Sequence, residues 1–143
     1  MNVAALLKVK GRAVATVRPD ATVQDVAQKL AAKRIGAMVV VGPGGGLVGI
    51  VSERDVIRVI ATSGSAALAM PVEEIMTRDV VTCQEGDTID SLMAKMTAGR
   101  FRHVPVVEDG ALVGLVSIGD VVKHHIAEVE LEASALKSYL VSG

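Results

Sequence analysis

Gly49-Ile50-Val51-Ser52-Glu53-Arg54-Asp55 and Gly114-Leu115-Val116-Ser117-Ile118-Gly119-Asp120 are two versions of one phrase. In each, an apolar run rich in β-branched residues ends at a serine, and an aspartate follows three residues later. The run predicts a strand, and the Ser-x-x-Asp step predicts the start of a helix. Two chemistries fit the polar pair. Ser and Asp can satisfy the orphan amides of a first helical turn as a capping box. They can also present a hydroxyl, a carboxylate and free amides to a ribose or phosphate. Two details favour the second: a capping box prefers Glu or Gln where both copies carry Asp, and the glycine three residues before each serine leaves room for a flat group near the backbone.

The repetition extends well beyond this phrase. With an offset of 66, Val14–Asp20 falls on Val80–Gly86, Thr22 on Thr88, Lys29 on Lys95, Arg34 on Arg100 and Val40-Val41 on Val106-Val107. One residue is lost at the next turn. Leu47-Val48-Gly49 then falls on Leu112-Val113-Gly114, and Asp55-Val56 on Asp120-Val121. Each half therefore reads as βαββα. The predicted elements are a short strand at Val14–Val17 (Val80–Cys83), a helix capped by Thr22 (Thr88) and running to about Arg34 (Gly99), strands Ala37–Val41 and Leu47–Val51 (Val104–Val107 and Leu112–Val116), and a helix after Ser52 (Ser117). Residues 1–13 form an N-terminal arm, 14–63 the first repeat, 64–75 a linker, 76–125 the second repeat and 126–143 a C-terminal helical extension.

Composition bounds the function. The chain has 143 residues, half of them apolar, so it can bury a sizeable core. Lys plus Arg is 15 against 16 Asp plus Glu, which argues against nucleic acid as a main partner. A single cysteine, Cys83, excludes an internal disulfide and fits a reducing compartment. With no run of ~18 apolar residues and no signal-like start, the expectation is a soluble cytoplasmic protein. There is no Trp, one Phe and one Tyr, so a bound base is expected between aliphatic side chains and backbone.

Other features have plain readings. Gly42–Gly46 precedes an alternating apolar segment, so it predicts a hairpin turn rather than a phosphate loop. Cys83 aligns with Val17 and reads as a buried strand residue. His124 and His125 are adjacent on a helix and make a poor metal pair. Glu73-Glu74 and Glu128, Glu130 and Glu132 read as solvated faces. Val122, Ile126, Val129, Ala133, Leu136 and Leu140 step by 4, 3, 4, 3 and 4, a coiled-coil-like seam that either packs on its own domain or meets a second copy.

At this level the chain resembles a pair of CBS domains (the cystathionine β-synthase type), a Bateman module. The second half carries the likeness most fully, in Glu74-Ile75-Met76-Thr77, Phe101-Arg102-His103-Val104-Pro105-Val106-Val107 and Gly114–Val121. The first half departs from it where Val39 replaces the proline kept at Pro105, and where Gly36-Ala37 stands for Arg102-His103. The resemblance implies an α+β fold, two βαββα repeats packed about a pseudo-twofold axis with an extended C-terminal helix. It also implies two clefts for an adenosyl ligand such as AMP, ADP, ATP, S-adenosylmethionine or NAD(H). One cleft would use Ser52, Arg54 and Asp55 with Thr77, Val80, Val81, Arg102 and His103. The other would use Ser117, Gly119 and Asp120 with Ala13, Ala15, Ile35 and Gly36. Asp55 and Asp120 would hold ribose hydroxyls. Since only the first set contains cations, a phosphorylated ligand is expected to prefer the Asp55 cleft.

No metal cluster, catalytic triad or activated nucleophile emerges. The expected function is a non-catalytic nucleotide-sensing module with no catalytic cofactor, a homodimer acting on an unidentified partner protein. The alternative is a structural or dimerisation scaffold with non-functional clefts.

Overall fold

The computed structural model describes residues 1–142. In chain order its elements are helix α1 (Val3–Lys10), strand β1 (Thr16–Val17), helix α2 (Val23–Lys33), strands β2 (Ala37–Val41) and β3 (Leu47–Ser52) and helix α3 (Glu53–Ser63). Two 3-10 turns, Gly64–Ala69 and Val72–Glu74, lead to helix α4 (Ile89–Gly99), strands β4 (His103–Glu108) and β5 (Ala111–Ser117) and helix α5 (Ile118–Ser142).

In the first repeat β1 runs parallel to β2 and β2 antiparallel to β3. In the second, β4 and β5 pair antiparallel. The strand expected over Val80–Cys83 shrinks to one parallel bridge between Cys83 and Val106. Cys83 N donates to Pro105 O, and Val107 N donates to Cys83 O. The preceding Val80 and Val81 do not join the sheet because they form the wall of a cavity instead. Gly42–Gly46 closes the β2–β3 hairpin, with Gly42 N bonded to Gly46 O. Asp109 and Gly110, both at positive φ, make the tight turn between β4 and β5.

Each repeat builds its own aliphatic core, and each core is completed by a segment that precedes the other repeat. The N-terminal arm forms α1. Asn2 caps it by accepting from Ala5 N, and Lys8 and Lys10 sit in the last turn where the helix dipole favours cations. Val3, Leu6 and Leu7 lie at i, i+3 and i+4 and are buried among Ile89, Leu92, Val104 and Val116 of the second repeat. Val3 N donates to Asp87 O, and Ile89 N donates to Met1 O. The segment that leads from the linker into the second repeat does the mirror-image job. Val72 and Met76 are buried with Val23, Val26 and Val51 of the first repeat, and Val23 N bonds to Met70 O. Burial of side chains of this size is worth about 1.5–3 kcal/mol each, so arm and linker tie the two repeats together.

This exchange overturns the ligand-based reading of the two glycines. A Cβ on Gly49 would lie 2.8 Å from Met76 Cγ, and one on Gly114 would lie 2.8 Å from Leu7 Cδ2. The space beside each strand is filled by a side chain from the exchanged segment, and no room for a flat ligand remains there.

α5 is one continuous helix. Val121 is buried in the second core, but Val122, Ile126, Val129, Leu136 and Leu140 are all exposed. The apolar seam is therefore not spent on packing against its own domain.

Candidate functional site

Ser52 and Ser117 stand where β3 and β5 end and α3 and α5 begin, and each is bonded to the aspartate three residues on. Ser52 N and Ser52 Oγ both donate to Asp55 Oδ2, at 2.8 and 3.0 Å, and Asp55 N donates back to Ser52 Oγ. Ser117 and Asp120 repeat the pattern at 2.8, 2.9 and 3.2 Å. Aspartate thus closes a capping box in this chain despite its shorter side chain. Thr22 and Asp25 do the same at the start of α2, outside both clefts. Asp at this position therefore does not by itself mark a ligand site. What sets Asp55 and Asp120 apart is the space in front of them.

Asp55 opens onto a cavity of about 440 Å³ built from both repeats. Ser52, Arg54 and Asp55 come from the first, and Thr77, Val80, Val81, Arg102 and His103 from the second side, so every residue expected for this cleft lines it. Sequence reasoning missed several others. Arg58 lies one turn beyond Arg54 on α3, an i, i+4 spacing that the motif reading stopped short of. Ile50 and Phe101 also line the wall, so the ring expectation is corrected: the one phenylalanine of the chain is available to a base, its ring lying against Gly99.

Asp120 opens onto a second cavity of about 540 Å³. Ala13, Ala15, Ile35, Gly36 and Ser117 line it as expected; Gly119, exposed on α5, does not. The expectation that only the first cleft offers cations is wrong. Lys10, Lys33 and Arg34 all line the second, against the single carboxylate of Asp120, whereas the first has four arginines against Glu53, Asp55 and Asp79. Lys10 escaped notice because it belongs to the arm. Arg34 and Arg100 carried a visible signal, since they match in the repeat. Both end their helices in the left-handed conformation, at φ 53° and 57°, where glycine is the cheaper residue. Each lines the cleft of the opposite phrase.

Lys10 does more than line the wall. Its Nζ donates to Asp120 Oδ2 at 2.5 Å and also bonds Leu115 O. Burial alone would raise the Asp120 pKa, but the Lys10 ammonium and the Ser117 donors outweigh it and hold the carboxyl below its ordinary range. His103 stands between the two cavities and lines both. Burial, with Lys10 next in importance, pushes its pKa down, so the ring is neutral at pH 7. Gly36 allows this position, because a Cβ there would come within 3.2 Å of the imidazole.

The remaining candidates resolve plainly. Cys83 is buried, and loss of hydration with the nearby Asp87 and Glu108 charges pushes its thiol up to about 11, an unreactive state. His124 Nε2 lies 3.8 Å from Glu128 Oε2 on the same helix, beyond hydrogen-bond distance. Among the described residues no cluster of His, Cys, Asp and Glu could hold a metal ion, and no helix is long and apolar enough to cross a membrane.

Two repeats, each a helix, a β-hairpin and a second helix with a cleft at the strand-to-helix junction, define a class of paired-repeat modules. The CBS domain family model matches residues 9–62 and 72–126, and the chain belongs to that family. It is similar to a solved CBS-domain containing protein from Agrobacterium tumefaciens, with 50% identity, a TM-score of 0.83 and coverage of 85% of this chain and 91% of that one. A CBS domain protein from Pyrobaculum aerophilum, solved in complex with AMP, shares 32% identity at a TM-score of 0.76 over 84% of this chain and 89% of that one. A mitochondrial CBS domain-containing protein from Arabidopsis thaliana is 37% identical over 128 residues, covering 87% of this chain and 62% of the relative. The chain thus spans under two thirds of that relative, and only 22% and 21% of two longer plant relatives.

Proposed function

We propose that this chain is a non-catalytic regulatory module whose Asp55 cleft binds an adenosyl nucleotide, AMP, ADP, ATP or NAD(H), and reports energy or redox state to a partner protein. The observation that carries the reading is convergence. A cavity of about 440 Å³ brings the Asp55 carboxylate together with Thr77, apolar Ile50, Val80 and Val81, and the arginines of two repeats. That volume falls within the usual range for small-ligand sites, about 300–1,000 Å³. Both serine donors fall on Asp55 Oδ2. Oδ1 accepts the ribose hydroxyls, the base lies among Ile50, Val80, Val81 and Phe101, and Arg54, Arg58 and Arg102 meet phosphate. The relative solved with AMP supports the ligand class. Binding that joins residues of both repeats favours one arrangement of the repeats over another, the condition for a signal.

Cytoplasmic placement and a homodimer complete the proposal, the dimer meeting along the exposed α5 seam. One observation favours a second reading. Both carboxylates are engaged as helix caps, as Asp25 is, and a scaffold needs no more than that.

The test is calorimetric titration of AMP into the parent, Asp55→Ala and Asp120→Ala proteins, with circular dichroism to verify folding and light scattering for mass. A charge-assisted hydrogen bond is worth about 1.5–3 kcal/mol, so Asp55→Ala should weaken AMP at least about tenfold. Asp120→Ala should lose far less, and the parent should run as a dimer. Equal losses contradict the preference for the Asp55 cleft. No binding of any adenosyl compound leaves the scaffold.

A further inference from the structure

We infer that Lys10 is a built-in occupant of the Asp120 cleft, and that this cleft admits only adenosyl ligands bearing a phosphate chain, which draws the ammonium group away from the carboxylate. The inference rests on the reading of the clefts as nucleotide sites and adds the rule by which one of them selects.

Lys10 is the last residue of α1, and α1 is anchored by Val3, Leu6 and Leu7 in the core of the second repeat. Its ammonium group is therefore delivered to Asp120 at the high effective concentration of an intramolecular partner. The contact has a second attachment, because Lys10 Nζ also bonds Leu115 O in β5. In the first repeat the matching carbonyl, Ile50 O, is satisfied by Thr77 N of the backbone, and among the described residues no lysine or arginine is paired with Asp55, whose side-chain partner is Ser52 of its own cap.

A neutral nucleoside offers its diol to Asp120 but gives Lys10 nothing in return for the lost ion pair. A sulfonium ligand adds a positive charge to a cleft that already holds Lys10, Lys33 and Arg34. A phosphate chain supplies a new anionic partner for all three. Arg34 strengthens the point. It keeps a long cationic side chain at a left-handed backbone position that glycine would occupy at lower cost.

The experiment is performed with the first cleft weakened by Asp55→Ala together with Arg102→Ala, titrating adenosine and ATP in turn. ATP should bind at least about tenfold tighter than adenosine. Lys10→Met, which keeps the aliphatic stem, should raise adenosine affinity by about threefold to tenfold and lower ATP affinity by a similar factor, the range expected for a partly exposed ion pair. Lys10→Arg, which keeps the charge, should leave adenosine weak and guards against a mere folding defect. Adenosine affinity unchanged by Lys10→Met, or equal to that of ATP in the parent, overturns the inference alone. Absence of binding by both ligands overturns it together with the nucleotide reading of this cleft, while AMP binding to Asp120→Ala keeps the reading of the other.

Discussion

The Asp55 and Asp120 clefts start from the same phrase and finish differently. At the first, Thr77 pairs its backbone with Ile50 in both directions, at 3.0 and 2.9 Å, and the carboxylate faces an open cavity. At the second, the carbonyl of Leu115 is met by the side chain of Lys10, whose ammonium then reaches Asp120. One structural need, a partner for a carbonyl on the outer edge of a strand, is met by backbone in one repeat and by a charged side chain in the other. The substitution changes what the neighbouring carboxylate is free to do. Each cleft takes its far wall from the chain leading into the opposite repeat. In these lead-in segments the two halves differ most, so a repeated sequence does not give a repeated site.

The largest effects should come from the strand glycines, which hold the exchanged segments in place. Gly49→Ala and Gly114→Ala each drive a methyl group into a packed side chain, and overpacking of this kind costs about 1–3 kcal/mol. Gly49→Ala should be the worse of the two. Its Cβ would also lie 3.0 Å from the backbone oxygen of Thr77, which cannot move aside, whereas at Gly114 the contact is with the end of the Leu7 side chain. Thermal unfolding of both variants checks the order, and a larger loss at Gly114 would show that the arm is packed more rigidly than the linker.

Smaller and opposite in sign are the effects expected at the helix-terminal arginines. Arg34→Gly and Arg100→Gly relieve left-handed backbone strain, and each should raise stability by up to about 1 kcal/mol. Each should also weaken a phosphorylated ligand, Arg100→Gly at the Asp55 cleft and Arg34→Gly at the Asp120 cleft. Stability and affinity measured together sharpen the comparison. A gain in stability with no loss of affinity would make these arginines bystanders.

Much of the fold was legible in the sequence because strands and helices follow local rules. The repeat offset, Thr22 and Thr88 as caps, the glycine hairpin and the strands Ala37–Val41 and Leu47–Val51 all depend on near neighbours, and they appear within a residue of their expected bounds. The Asp55 cleft was legible through the family resemblance, since its residues come from motifs matched one by one. What escaped depends on contacts distant in the chain. Leu7 against Gly114, Met76 against Gly49 and Lys10 on Asp120 leave no periodic trace, and the eight residues of α1 carry too little pattern to predict where they dock. Cys83 keeps only one bridge of the strand expected for it, because Val80 and Val81 turn to the cavity.

A crystal structure of the chain grown with AMP below two equivalents would test the difference between the clefts most directly. The ribose should lie against Asp55 Oδ1 with its phosphate toward Arg102, while Lys10 stays bonded to Asp120. AMP bound first against Asp120 with Lys10 displaced, or ribose hydroxyls that avoid both carboxylates, would contradict it.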